Sequence, residues 1–361
     1  MRRAQETQGA QGVRRARRAP RGYLAAGPIA IPLARAGVVA GLAVLVLLLA
    51  AAVATLSMGR LGVPVPDLLH ALTHGPSEGK QAFVLERLRG PRLAVAVGTG
   101  AALGLSGALF QTVTRNPLGS PDVIGLSAGA GAGAAVAALL LPGTLPPWAG
   151  ALAGAALAMA LVYFSTGTGF RNPGRLIVAG IGVYAIATAI IQYVVYAVER
   201  DRAAALTAYV NGSLSARSWE HAATVWATLL AVVPLVLLLS RRLAVTELGD
   251  ELAAGLGADP RRARSAAVVL SIVLSAGAVA VAGPISFIAL TAPQIAKRLT
   301  RLPGPHLTLA TLVGALLLVL ADLAAQQAPL PGSLPVGVYT LALGGLYLGY
   351  LLIREWRKGS L

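Results

Sequence analysis

The chain has 361 residues, is 56% hydrophobic and only 12% charged, and carries apolar runs long enough to cross a hydrocarbon layer that needs about 20 residues, which argues against a soluble globular protein. Cysteine is absent, which excludes disulfides, thiolate metal sites and cysteine nucleophiles, and His70, His74, His221 and His306 lie too far apart for ligand spacing, so neither a metal site nor a catalytic centre is expected. The net charge of +16 resides in short basic tracts between apolar runs rather than on one soluble face, which points to membrane topology signals and away from nucleic acid.

Residues 1–35 hold Arg2, Arg3, Arg14, Arg15, Arg17, Arg18, Arg21 and Arg35 against the single acid Glu6, and are expected to form a disordered cytoplasmic tail with some affinity for anionic lipid headgroups. Residues 36–361 read as one transmembrane domain. Its expected spans are 37–58, 93–113, 123–141, 148–166, 176–198, 222–239, 266–282, 283–296, 307–325 and 336–353. The seventh and eighth form one unbroken apolar stretch, which Gly283-Pro284 divides by a turn. With about ten spans, Arg115, Arg171, Arg175, Arg241, Arg242, Arg261, Arg262, Arg264, Lys297, Arg298 and Arg301 all fall on the side of the arginine-rich tail. Both termini are then cytoplasmic, in a multi-pass protein of the plasma membrane.

Arg87, Arg89 and Arg92 break this pattern, because they cluster at the outer end of the second span. Interfacial snorkelling and docking of an acidic external partner both account for them. Asp322 in the ninth span is an acid at membrane depth, open to structural pairing, helix capping or proton relay. Small residues at helical spacing (Gly100 with Gly104; Gly125, Gly129 and Gly133) favour close helix packing. The chain has no nucleotide loop of its own: Gly75-Pro76-Ser77-Glu78-Gly79-Lys80-Gln81 is one residue short between its glycines and lacks the hydroxyl that holds magnesium.

The inner loop, about 241–264, is the most informative segment. Leu248, Leu252 and Leu256 are four apart on one helical face, while Glu247, Asp250 and Glu251 lie elsewhere, with Gly249 and Gly255 between them and Gly257 as a C-terminal stop. Asp259-Pro260 then reads as an N-cap followed by proline at the first helical position. An acidic amphipathic helix is repelled by anionic lipid, so insertion into a groove on a cytoplasmic partner explains it better than rest on the membrane surface.

Arg89-Gly90-Pro91-Arg92-Leu93, Gly107-Ala108-Leu109-Phe110-Gln111 and Arg115-Asn116-Pro117-Leu118-Gly119-Ser120-Pro121-Asp122-Val123-Ile124-Gly125 resemble the iron-siderophore and vitamin B12 permease family of ATP-binding-cassette importers. So do Leu248-Gly249-Asp250-Glu251 with Gly255-Leu256-Gly257, then Gly283 to Leu290 with Pro293, and Leu334-Pro335-Val336-Gly337-Val338, in family order over nearly the whole chain after the tail.

The resemblance implies an all-α polytopic fold of about ten transmembrane helices plus short cytoplasmic coupling helices. It implies a second permease subunit, two cytoplasmic ATPases that use ATP and magnesium, an extracytoplasmic substrate-binding protein, and no cofactor on this chain. The family's coupling helix matches Glu247 to Gly257, and Arg89 and Arg92 align with arginines that dock the binding protein. A further docking arginine is replaced by Gln326, and the family's usual Pro-His is Pro293-Gln294 here, in a Pro-Gln-Ile-Ala-Lys-Arg form similar to subunits of heterodimeric enterobactin-type permeases. Gln111, Thr112, Thr114 and Asn116 are candidates for a pathway gate, with hydrogen bonding to helix backbone as their plain alternative. The competing function is an ion-coupled secondary transporter.

Overall fold

The computed structural model describes residues 23–26, 29–32, 34–59, 61–75, 79–167, 173–197, 209, 211–247, 249–328 and 334–357. In chain order the helices are α1 (Arg35–Ser57), α2 (Val65–His74), α3 (Lys80–Thr114, with a π-helical turn at Val84–Arg89), α4 (Leu126–Leu139), α5 (Pro147–Thr166) and α6 (Pro173–Ala197). They continue as α7 (Trp219–Thr246), α8 (Asp250–Gly255), α9 (Pro260–Ala282), α10 (Ile288–Thr300), α11 (Leu307–Gln327) and α12 (Val336–Arg357). Every expected span coincides with one of these helices. Part of the tail, expected to be disordered, instead forms an antiparallel pair, β1 (Tyr23–Ala26) with β2 (Ile29–Pro32), in register Tyr23↔Pro32 to Ala26↔Ile29, and β2 lies against α7. These residues are apolar, unlike the arginine-rich residues before them, which lie outside the described part of the chain.

Among the described residues, seven helices (α1, α3, α5, α6, α7, α9 and α11) are long and apolar enough to cross a membrane. In contrast, α4 has 14 residues and α10 has 13. At 1.5 Å rise per residue each reaches only about 20 Å of a ~30 Å hydrocarbon layer, so non-helical chain completes both spans. Before α4 stand the 3-10 turn Pro121–Ile124 and Gly125 at φ 75°, whose added Cβ would meet the Gly180 carbonyl oxygen at 2.9 Å. Ser127 at the start of α4 lies 3.4 Å from Ser275 in α9, which by helical rise is about 10 Å from the C-terminal end of α9. The chain therefore reaches the start of α4, inside the bundle, through one 3-10 turn in place of α-helix. Such backbone is tolerated at that depth where protein covers it, and Gly119, Ser120 and Pro121 are buried.

The division between α9 and α10 falls at Gly283, as expected, although the second helix starts five residues later than residue 283. Gly283 has φ 75° and no room for a side chain, since an added Cβ would meet the Tyr209 carbonyl oxygen at 1.9 Å. Pro284 has no N–H, and Phe287 caps α10 in the left-handed region at φ 70°.

The core is centred on α3, which has 83% of its most apolar stretch buried, against 17% for α1 at the lipid-facing periphery. It packs against α7, α9, α10 and α11. Gly100 and Gly104 bring α3 against Gly314 and Ala310 of α11, where a Cβ on either would approach a carbonyl oxygen to 2.4 or 2.3 Å. Gly129 and Gly133 do the same for α4 against Gly150 and Gly154 of α5. In lipid, where apolar burial drives helix association weakly, such backbone contact supplies the dispersion energy that holds helices together. Between α3 and α9, Ser106 and Ser271 each donate to the other's carbonyl oxygen at 2.8 and 3.0 Å, satisfying both hydroxyls without water.

Candidate functional site

At the end of the bundle where α3 begins, the two arginines flagged in the sequence turn inward. Arg92 donates from Nε and Nη2 to both carboxylate oxygens of Asp322 at 2.7 to 3.1 Å. Asp322 is 1% exposed, so the arginine neutralises a fully buried acid, and bidentate geometry suits that task. Gln326, one helical turn further along α11, donates to the same carboxylate at 2.7 Å. Of the readings open for Asp322, structural pairing describes what is seen. Arg89 donates to the carbonyl oxygens of Thr55, Leu56 and Met58 at 2.8, 3.1 and 2.6 Å, capping the C-terminal end of α1 where the last carbonyls have no helical partner. Arg87 and Glu86 are exposed and border a cavity of about 530 Å³ shared with Pro91, Ser218, Trp219 and Glu220.

At the opposite end of α3 the candidate gate residues are brought close together, and each already has a partner. Gln111 is 2% exposed and donates to the Leu290 carbonyl oxygen at 3.0 Å. Thr112 and Thr114 donate back to Ala108 and Phe110 of their own helix at 2.7 and 2.8 Å. Asn116 accepts from the Leu118 N–H at 2.9 Å, forming a turn. The plain reading of these four, hydrogen bonding to nearby backbone, is the one their geometry displays.

Two further residues escaped the sequence reading as candidates. Gln294 donates to both the Gln111 side-chain oxygen and the Pro117 carbonyl oxygen at 2.7 Å, fastening α10 to the loop after α3. Asp122 accepts hydrogen bonds from the hydroxyls of Ser120 and Ser127 at the broken entry to α4. The Ser-Pro-Asp string is an N-cap signal that hydropathy hides, because it abuts an apolar run.

The coupling segment is more compact than its sequence suggests. α8 covers only Asp250–Gly255; Glu247 caps the end of α7, Gly249 has φ 111°, and Leu248 lies outside the described residues. Ala253 is fully buried against the bundle, whereas Glu251 is exposed and Leu252 and Leu256 are 62% and 67% exposed. The two leucines therefore point away from their own domain. Gly257 at φ 77° ends the helix in a Schellman arrangement, with Ala258 N–H bonded to Ala253 and Gly257 N–H to Ala254, both at 3.0 Å. Asp259 then caps α9 by accepting from the Arg261 and Arg262 N–H groups at 3.0 and 3.1 Å, with Pro260 in the first turn. Partial desolvation raises the Glu247 carboxyl above its ordinary range, while the neighbouring cations Lys297 and Arg115 oppose the rise.

A bundle of apolar helices with small-residue contacts, two short helices entered through non-α-helical chain, and a short helix with two exposed leucines beside it is the frame of a multi-pass membrane protein. The chain belongs to the FecCD transport family, whose model matches residues 46–354. It is 41% identical to the ferric enterobactin transport system permease protein FepG of Escherichia coli (strain K12), over 79% of this chain and 86% of that one. It is 37% identical to the achromobactin transport system permease protein CbrC of Dickeya dadantii, covering 86% and 90% of the two chains. It is 38% identical to the Fe(3+)-citrate import system permease protein YfmE of Bacillus subtilis, covering 76% and 84%. A solved structure of a metal-chelate type ABC transporter in an inward-facing conformation matches with a TM-score of 0.75 at 25% identity, over 87% of this chain and 98% of that one. The protein is thus a multi-pass inner-membrane permease subunit of an ATP-binding-cassette importer, and ATP hydrolysis belongs to a separate subunit.

Proposed function

We propose that this permease imports ferric siderophores, of the catecholate class that its enterobactin relative is named for, handed over by an extracytoplasmic binding protein. The observation that carries the transport reading is the pair of exposed leucines, Leu252 in α8 and Leu256 at its C-terminal cap, next to Ala253, which is buried. Such a helix fits a groove on a cytoplasmic ATPase, and Glu247, Leu248, Gly249, Asp250, Glu251, Gly255 and Gly257 frame it. Two ATPase subunits that bind ATP and magnesium drive the cycle. A second permease subunit, a paralogue in preference to a copy, closes the path. The Pro293-Gln294 pair supports the paralogue, and the basic inner loops support cytoplasmic termini.

At the outer face, the start of α3 is the proposed docking surface, where Arg92 keeps 23% of its side chain exposed while paired with Asp322. Charge reversal at Arg89 and Arg92 is expected to weaken binding-protein docking, more so at low salt, when binding is measured on the assembled transporter. The loop around Gln111, Thr112, Thr114 and Asn116 is the proposed inner gate. The substrate assignment is tested by supplying radiolabelled ferric catecholate, hydroxamate and citrate complexes to cells lacking and then regaining this chain. Restored uptake of the catecholate complex is expected; restoration of citrate uptake alone would overturn the assignment.

A further inference from the structure

We propose that Arg115 is a positioning residue that ties the coupling segment to the inner loop after α3, so that displacement of α8 is passed directly to that loop. The proposal rests on the reading of α8 as the ATPase-docking helix. Arg115 sits at the C-terminal cap of α3 with φ 50°, a left-handed conformation that glycine or asparagine adopts more readily than arginine. Its side chain gives that placement a purpose. Nη2 donates to the carbonyl oxygen of Thr246 at 2.8 Å, and Thr246 is the last residue of α7, four positions before the start of α8 at Asp250. The nearby Glu247 carboxyl, which feels both Arg115 and Lys297, adds an electrostatic hold on the same junction.

The far side of the loop is anchored to a different helix. Gln294 of α10 holds the Pro117 carbonyl oxygen at 2.7 Å and is itself fixed by Gln111. Residues 116–119 are a preformed turn that itself contains the Pro117 anchor, with Gly119 N–H bonded to the Asn116 carbonyl oxygen at 3.0 Å and Leu118 N–H to the Asn116 side chain at 2.9 Å. A turn closed on itself moves as a unit, so a pull at Arg115 is delivered to its tip. Leu118, 49% exposed, occupies that tip. The loop then leads through buried Gly119 and Ser120 to the Asp122 turn and the start of α4. Coupling needs a contiguous physical connection between the docking helix and the path, and this hydrogen-bonded bridge supplies one.

The natural absence of cysteine allows spin labels to be placed at Glu251→Cys on α8 and at Leu118→Cys on the loop tip, in the assembled transporter with its ATPases. With Arg115 in place, ATP binding is expected to change the spectra of both labels. In Arg115→Gln, the label at 251 is expected to respond as before, while the response at 118 falls at least severalfold and uptake per ATP hydrolysed falls about tenfold. Arg115→Met, which keeps the apolar stem and removes every donor, serves the same comparison if the glutamine variant fails to assemble. An undiminished response at 118 in either variant would overturn the tie. A label at 251 that is silent even with Arg115 present would instead overturn the docking reading of α8, and the tie with it.

Discussion

At the scale of single residues, the strongest electrostatic feature is the Arg92–Asp322 pair with Gln326 beside it. Removing one partner from a buried pair leaves an uncompensated charge, so Asp322→Ala and Arg92→Ala are each expected to lower stability by about 3 kcal/mol or more. The double variant is expected to lose much less than the sum, as measured by thermal unfolding of the detergent-purified protein. All three residues stood out in the sequence, Arg92 for breaking the charge rule, Asp322 for its depth and Gln326 for replacing an arginine. That they meet was not legible, because no local spacing links α3 to α11 across 230 positions. Likewise Gln111 was visible as a polar gate candidate at the end of the second span, but its partner Gln294 was visible only as a departure from a family pattern.

At the scale of elements, the turn and cap signals of the inner loop are local and were legible, whereas the helix expected over 247–257 shortens to Asp250–Gly255. Gly257 stops α8, Asp259 and Pro260 open α9, and the leucine spacing predicts the exposed face. Asp259→Ala, which removes two capping hydrogen bonds, is expected to cost about 1 kcal/mol, detectable as a shift in the thermal unfolding midpoint. Leu252→Asp is expected to leave the permease inserted and folded, since the side chain touches little of its own domain, yet to abolish stimulation of the ATPase and reduce uptake at least tenfold. Unchanged uptake would show that α8 is not the docking element. Hydropathy could not foresee the shortness of α4 and α10, because apolar composition is blind to φ. The breaks lie in backbone geometry at Gly125 and Phe287, inside runs that remain apolar throughout.

At the scale of the whole molecule, charge distribution and span length were enough to put each expected span on a described helix, because a membrane tolerates few alternatives for an apolar chain. Direction of transport and choice of cargo were not readable from composition, since small apolar residues that pack helices tightly leave little substrate chemistry on display. The hairpin in the N-terminal arm was hidden by the arginines that surround it in sequence. The proposed transport is movement of iron chelates through this chain by conformational work done by a partner ATPase. It is tested most directly in proteoliposomes that contain the full transporter and its binding protein, loaded with ATP and supplied with a radiolabelled ferric catecholate. Uptake that requires ATP and persists after a protonophore collapses the proton gradient is the predicted result. Uptake that ignores ATP and vanishes with the gradient would contradict the account.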